Sequence, residues 1–334
     1  MKVFITGILG FKGSYLANLC AQEGHEVVGV DCRELWEIQD NEAYKLLKCH
    51  ENDLITTYDG IYVESLLDAF ANEEHQKPML QADYVFHLAA QPIVAIGYKD
   101  PIGTLRNNTM LTAELIEFLL KDSENKDQII VNVTTDKVYQ ADESGTPMAE
   151  DDLLDGYDPY SLSKAFADRW VSMLREITPT SKVVHNVRAG NVIGAGDLGD
   201  NRIITDLFHC YQKNIEMPCR SPHGMRPYQD VRDCVRGYLT LAINDELNRQ
   251  ENYKGESWNF GPDHSYYNIE LLTGITQFFP EENEAKEIKI EGDIGRETKC
   301  LMLDSQKAKE KLDWEPSVDF FETCKDIAEW IMVG

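Results

Sequence analysis

The sequence predicts an α/β protein: a doubly wound parallel sheet followed by a smaller, less regular C-terminal lobe. Three observations predict it. Short, fully apolar, β-branched runs alternate with helix-length segments through the first half of the 334 residues. A glycine-rich turn, Gly7-Ile8-Leu9-Gly10-Phe11-Lys12-Gly13, joins the first such run to the first helix. An acid, Asp31, ends the second run. Continuous apolar strands separated by helices mark parallel strands covered on both faces, which is a Rossmann-type arrangement.

The expected strands are Lys2–Thr6, Glu26–Asp31, Asp83–Leu88, Gln128–Thr134 and Lys182–Arg188. Ser14–Glu23 has helical spacing. Beyond about residue 190 the alternation weakens, and Pro218, Pro222, Pro227 and Pro262 lie in loop-like sequence. The expected division is therefore 1–190 for the sheet domain and 191–334 for the second lobe, with some later segments returning to the first.

Composition narrows the class. Hydrophobic residues make up 43% and charged residues 27%, as in a soluble globular protein. No apolar run approaches the ~20 residues that span a bilayer. The N-terminus runs directly into a strand, without the charged, apolar and small-residue segments of a signal peptide. The net charge of -26 repels phosphate backbones, so nucleic acid is not an expected partner. Glu281–Glu287 and Ala149–Asp155 read as exposed acidic loops. Eight cysteines lack metal-site or C-x-x-C spacing and read as reduced thiols in a cytoplasmic protein.

The glycine turn has a mechanism. Glycine lets the backbone bend sharply and approach a pyrophosphate, while the helix start offers free N–H groups. Gly7, Gly10 and Gly13 are thus candidate dinucleotide contacts. The alternative is that they only pack helix against strand. Asp31 follows Gly13 by 18 residues, where an acid binds the adenosine ribose hydroxyls and disfavours a 2′-phosphate. That favours NAD, although nearby Arg33 could serve NADP. Leu88-Ala89-Ala90, at a later strand end, would let the backbone approach the same cofactor.

Tyr160 and Lys164 stand four apart, on one face of a helix that Asp158-Pro159 begins. A phenol with a pKa near ~10 is a weak base at neutral pH, and a cation one turn away should lower it. Thr134-Thr135-Asp136-Lys137 closes an intervening strand, where catalytic groups of open α/β sheets gather. The alternative for Asp136 and Lys137 is an exposed ion pair. Arg202, Arg220 and Arg226, spaced around turns in an acidic chain, fit a clamp on an anionic diphosphate.

Together these features resemble the extended short-chain dehydrogenases, and most nearly the CDP-glucose 4,6-dehydratases, over almost the whole chain. The segments that carry the resemblance are Gly10-Phe11-Lys12-Gly13-Ser14, His87-Leu88-Ala89-Ala90-Gln91-Pro92, Thr135-Asp136-Lys137-Val138-Tyr139, Asp158-Pro159-Tyr160-Ser161, Arg188-Ala189-Gly190-Asn191-Val192-Ile193-Gly194 and Trp258-Asn259-Phe260-Gly261-Pro262. The resemblance implies an NAD-binding first domain and a nucleotide-sugar-binding second lobe. It adds Phe11 to the cofactor contacts and Gln91 and Asn191 to the substrate contacts. It implies that Tyr160 deprotonates the sugar 4-hydroxyl, that Thr135 holds that oxygen, and that Asp136 protonates the leaving 6-hydroxyl. Lys137 is either the base at C5 or an electrostatic partner of Asp136. The family also implies a homodimer or homotetramer through helices near Leu111–Leu120 and Tyr160–Arg175.

The chain departs from that group at Ala95, Leu162, Leu198 and Tyr228-Gln229-Asp230, and the resemblance implies an adenine-contacting acid displaced to Asp59-Gly60-Ile61, with Asp53-Leu54 as the alternative. These changes bear on base and sugar more than on chemistry. Two further readings are a 4-epimerase or plain oxidoreductase of the same family, and a non-enzymatic NAD-binding regulator.

Overall fold

A computed structural model describes residues 1–32, 42–58, 73–122, 125–140, 145–199, 202–290 and 302–334. Arg33, Asp59-Gly60-Ile61 and Cys300 lie outside the described residues.

Seven parallel strands form the central sheet: β1 (Lys2–Thr6), β2 (Glu26–Val30), β3 (Ile55–Tyr58), β4 (Tyr84–His87), β5 (Ile129–Val133), β6 (Val183–Ala189) and β7 (Ser257–Phe260). Their order is β7-β6-β5-β4-β1-β2-β3. The order reverses between β1 and β4, and the crevice beyond the carboxyl ends of those two strands is where such sheets bind ligands. The sequence-based strands agree with the observed ones to within about a residue at each end. β3 and β7 lie outside the runs that the sequence pattern predicts as strands.

Alternate side chains of each strand serve opposite faces. Val3 and Ile5 join a core with α1 (Phe11–Gln22) and α4 (Val231–Ile243). Phe4, Val85 and Ile130 join a second core with α2 (Leu111–Lys121) and α3 (Pro159–Ile177). Both faces are thus buried, which explains the unbroken apolar runs.

The later chain builds a third core from Ile204, Leu207, Leu271, Ile275 and α5 (Phe320–Val333). Its strands are short pairs, Val192–Ile193 with Gln229–Asp230, Met225–Arg226 with Tyr266–Tyr267, and Met217–Cys219 with Ile288–Ile290. β7 leaves this region and pairs with β6 at the sheet edge, Ser257 opposite Asn186. Among the described residues, no helix is long and apolar enough to cross a membrane. Cys20, Cys32, Cys49, Cys210, Cys219, Cys234 and Cys324 carry free thiols.

Candidate functional site

A cavity of about 420 Å³ opens at the switch point between β1 and β4. The glycine turn forms its floor. Gly7 has φ +76°, and a Cβ there would stand 2.9 Å from the Ala89 nitrogen. A Cβ on Gly13 would stand 2.1 Å from the Gly7 carbonyl oxygen, an impossible approach. Packing alone therefore requires both glycines. The same tight packing carries the β1 strand end straight into the start of α1. Gly10 caps that helix with no side-chain bond, and the first turn holds no acid. Its N–H groups are left for an anion.

Asp31 braces the turn, its Oδ2 accepting from the Leu9 N–H at 2.9 Å. Gly7, Gly10, Phe11, Gly13 and Asp31 all line the cavity. Leu88, Ala89, Ala90 and Gln91 line it from β4. Gln91 spends its side chain internally, donating to Thr104 Oγ1 at 2.9 Å and accepting from the Ile93 N–H. It shapes the turn rather than offering a free amide. His87 is buried between Thr6 Oγ1 (2.7 Å) and Thr112 Oγ1 (2.9 Å). Burial, with Lys164 adding to it, drops its pKa to about 3, so this clamp between β1, β4 and α2 stays neutral.

α3 delivers the next groups. Asp158 caps it by accepting from the Tyr160 and Ser161 N–H groups at 2.9 and 3.1 Å, and Pro159 takes the first position, where no N–H is needed. Tyr160 and Lys164 are both buried and both line the cavity. Burial pushes the Tyr160 phenol up to about 12, against a hydrogen bond with the Thr135 side chain and the charge of Arg202. The expected lowering by the lysine one turn away is not what the fold produces. Lys164 points to β5 instead and donates to the Val133 carbonyl at 3.0 Å. Burial, with the like charge of Lys12, drops its pKa to about 8.

Thr135 bonds onward, donating to Asp136 Oδ1 at 3.0 Å. Asp136 is 3% exposed, so it is no surface ion pair. Its other oxygen, Oδ2, has no hydrogen-bond partner among the described residues. Burial raises its pKa, opposed in turn by Lys137, by the Thr135 hydrogen bond, by Lys12 and by Arg226. Lys137 is half-buried beside it.

The arginines separate. Arg202 lines the cavity and holds both oxygens of Asp197, at 2.7 and 2.9 Å. Arg226 is buried and donates to the Met225 carbonyl at 2.7 Å. Arg220 is exposed. Asn191 accepts on its backbone carbonyl from the Gln229 N–H. Arg188 is structural: it pairs with both oxygens of buried Asp168, at 2.8 and 2.9 Å, and donates to the Tyr139 hydroxyl and the Glu150 carbonyl. Lys12 and Asn107 also line the cavity, and neither was assigned a role from the sequence. A cation inside the glycine turn of so acidic a chain was the available signal for Lys12.

The glycine turn and Ala89 line the cavity, the start of α1 faces an anion, and Asp31 directly follows β2. That donor set fits a dinucleotide. The chain matches the GDP-mannose 4,6 dehydratase family over residues 4–327. It is 32% identical to CDP-glucose 4,6-dehydratase of Salmonella typhimurium, across 98% of this chain and 90% of that one. UDP-glucuronic acid 4-epimerase from Bacillus cereus, solved with UDP-glucuronic acid and NAD, superposes with TM-score 0.81 at 19% identity, covering 100% and 99% of the two chains. UDP-glucose 4-epimerase from Stenotrophomonas maltophila, solved with NAD and formylated UDP-arabinopyranose, gives 0.82 at 19%, covering 100% and 98%. The sheet order, the glycine turn and this match over nearly all its length place the chain in the GDP-mannose 4,6-dehydratase family of extended short-chain dehydrogenases.

Proposed function

We propose that the protein is an NAD-dependent nucleotide-sugar 4,6-dehydratase, a hydro-lyase, and that its substrate is CDP-glucose. One observation carries the reading: a buried carboxyl, Asp136, with one oxygen unpartnered and the other linked through Thr135 to the Tyr160 phenol. Interconverting two 4-hydroxyl configurations needs no such acid. Removing water across C5–C6 does.

Tyr160 takes the proton of the sugar 4-hydroxyl, and Thr135 holds the same oxygen. The glycine turn, Asp31 and Ala89 would hold NAD, which would supply the hydride acceptor for C4 and the hydride donor for C6. The 4-ketone acidifies the C5 hydrogen, and Lys137 takes it as a proton. Asp136, whose burial favours the protonated form, gives its proton to the departing 6-hydroxyl, which leaves as water. Once C6 is reduced, the proton held by Lys137 returns to C5, and Asp136 regains through solvent the proton that Tyr160 took from the 4-hydroxyl. Lys164 fixes the β5 end of the cleft through the Val133 carbonyl. Arg202 and Arg226 take the sugar-nucleotide diphosphate, with Asn191 and Gln91 shaping the loops around it. Residues 191–334 contribute most of the substrate side.

Incubation with CDP-, dTDP-, UDP- and GDP-linked hexoses tests this. The expected product is one water lighter than CDP-glucose, with no net NADH. A water-loss product only from another nucleotide sugar would replace the substrate and keep the chemistry. Unchanged mass from every one, or an isomer of the same mass, would reject the dehydratase.

The chain also acts as a homo-oligomer in this reading. Leu162, Phe166 and Trp170 form an exposed apolar stripe on the outer face of α3, each 38–50% accessible, which suits a second copy. Sedimentation equilibrium should show the wild type associated and Trp170→Glu monomeric. A monomeric wild type would end that proposal.

A further inference from the structure

The scheme above leaves one cation of the cleft unused. Lys12 occupies the second position of α1, directly after Gly10 and Phe11, and lines the cavity. It is half-buried and forms no ion pair with any described carboxylate. The sequence holds 58 acidic residues against 32 lysines and arginines. A basic side chain left without an acid, inside a cleft, is therefore in an unusual place.

Its neighbours locate it. The charge of Lys12 bears on Lys164, Asp136 and Cys234. Tyr160 and Lys164 line the half of the cleft assigned to hydride and proton transfer; Asp31 lines the other half. Lys12 and Lys164 thus put two like charges in one cavity, and the charge of Lys12 disfavours the protonated form of Lys164. An anion between them removes that penalty. The start of α1 asks for the same thing, since its N–H groups have no side-chain cap and no acid beside them.

We propose that Lys12 is a cofactor-retaining residue whose ammonium pairs with the diphosphate of the bound dinucleotide, on its nicotinamide side. This rests on the NAD reading above. A backbone cradle recognises a phosphate by geometry. A lysine adds a mobile point charge that shortens its stay in solution. A dehydratase benefits because its dinucleotide is restored each turnover and has no need to leave. The only competing anion of the same chemistry is the diphosphate of the sugar nucleotide, and the two are separable by experiment.

Wild type, Lys12→Met and Lys12→Arg are compared in three measurements. Cofactor carried through purification is quantified after denaturation. The NAD dissociation constant is measured by calorimetry at low and high salt. The KM for the sugar nucleotide is measured at saturating NAD. Lys12→Met should lose co-purified cofactor and bind NAD about tenfold or more weakly, the cost of one charge-assisted hydrogen bond. Its NAD affinity should also depend less on salt, and Lys12→Arg should recover most of the loss. Melting of the cofactor-free proteins should coincide, which separates lost binding from lost folding. Unchanged NAD affinity in Lys12→Met overturns the proposal, and a raised KM alone would reassign Lys12 to the sugar nucleotide. A wild type that binds no NAD would instead sink the dinucleotide reading itself.

Discussion

Tyr160→Phe is expected to lower kcat by about 10³ or more, with NAD affinity nearly unchanged. The phenol lines the cleft and is the group assigned to take the proton of the 4-hydroxyl, and phenylalanine fills the same space as its ring. Burial pushes it to about 12, so only a small fraction is phenolate at neutral pH. The Thr135 hydrogen bond and the Arg202 charge are what keep that fraction from being smaller. Turnover limited by this step should rise with pH, since deprotonation makes the base. Steady-state rates on the accepted nucleotide sugar, with melting as the folding control, check the result. Activity above a tenth of wild type would remove Tyr160 from the mechanism.

Asp136→Asn is expected to separate oxidation from elimination. Asparagine keeps the shape and the Thr135 contact but carries no acidic proton. Water loss should fall by about 10²–10³, while exchange of the C5 hydrogen with deuterated solvent continues. Mass spectrometry of sugar recovered from D2O distinguishes the two steps. Water loss at the wild-type rate would mean that another group is the acid.

The same substitution should stabilise the protein. The folded-state pKa of Asp136 is raised, so the ionised carboxylate costs stability at any pH above that raised value. The cost disappears below about pH 4, where folded and unfolded chains are both protonated. Asparagine has no charge to desolvate. The melting temperature of Asp136→Asn relative to wild type should rise between pH 4 and pH 8, and calorimetric melts at the two pH values check it.

What could be read from the sequence follows the range of the interactions. The buried strands announce themselves because each needs apolar residues on both faces, as in Ile129–Val133. β3 stays hidden because Ile55–Tyr58 is an edge strand, only half-buried. β7 stays hidden because Ser257–Phe260 is short and its partner β6 lies far back in the chain. Gly7 and Gly13 are legible since a local turn demands them. The fate of Arg188 is not, because its partner Asp168 sits on another element. Nor could spacing show that Lys164 would turn to Val133 or that burial would outweigh it at Tyr160. Those outcomes depend on solvent exclusion by the assembled fold.

The position of β7 has a consequence for biosynthesis. β6 is buried along all seven residues, and its outer edge is covered only once Lys254–Phe260 has been made, through bonds such as Val184 N–H to the Lys254 carbonyl and Asn186 N–H to the Glu256 carbonyl. A nascent chain, or a truncated gene product ending between Ala189 and Lys254, presents that edge as a sticky template for other unfolded chains. The first half expressed by itself is therefore expected to aggregate, and complementation by a separately supplied second half requires that strand to dock first.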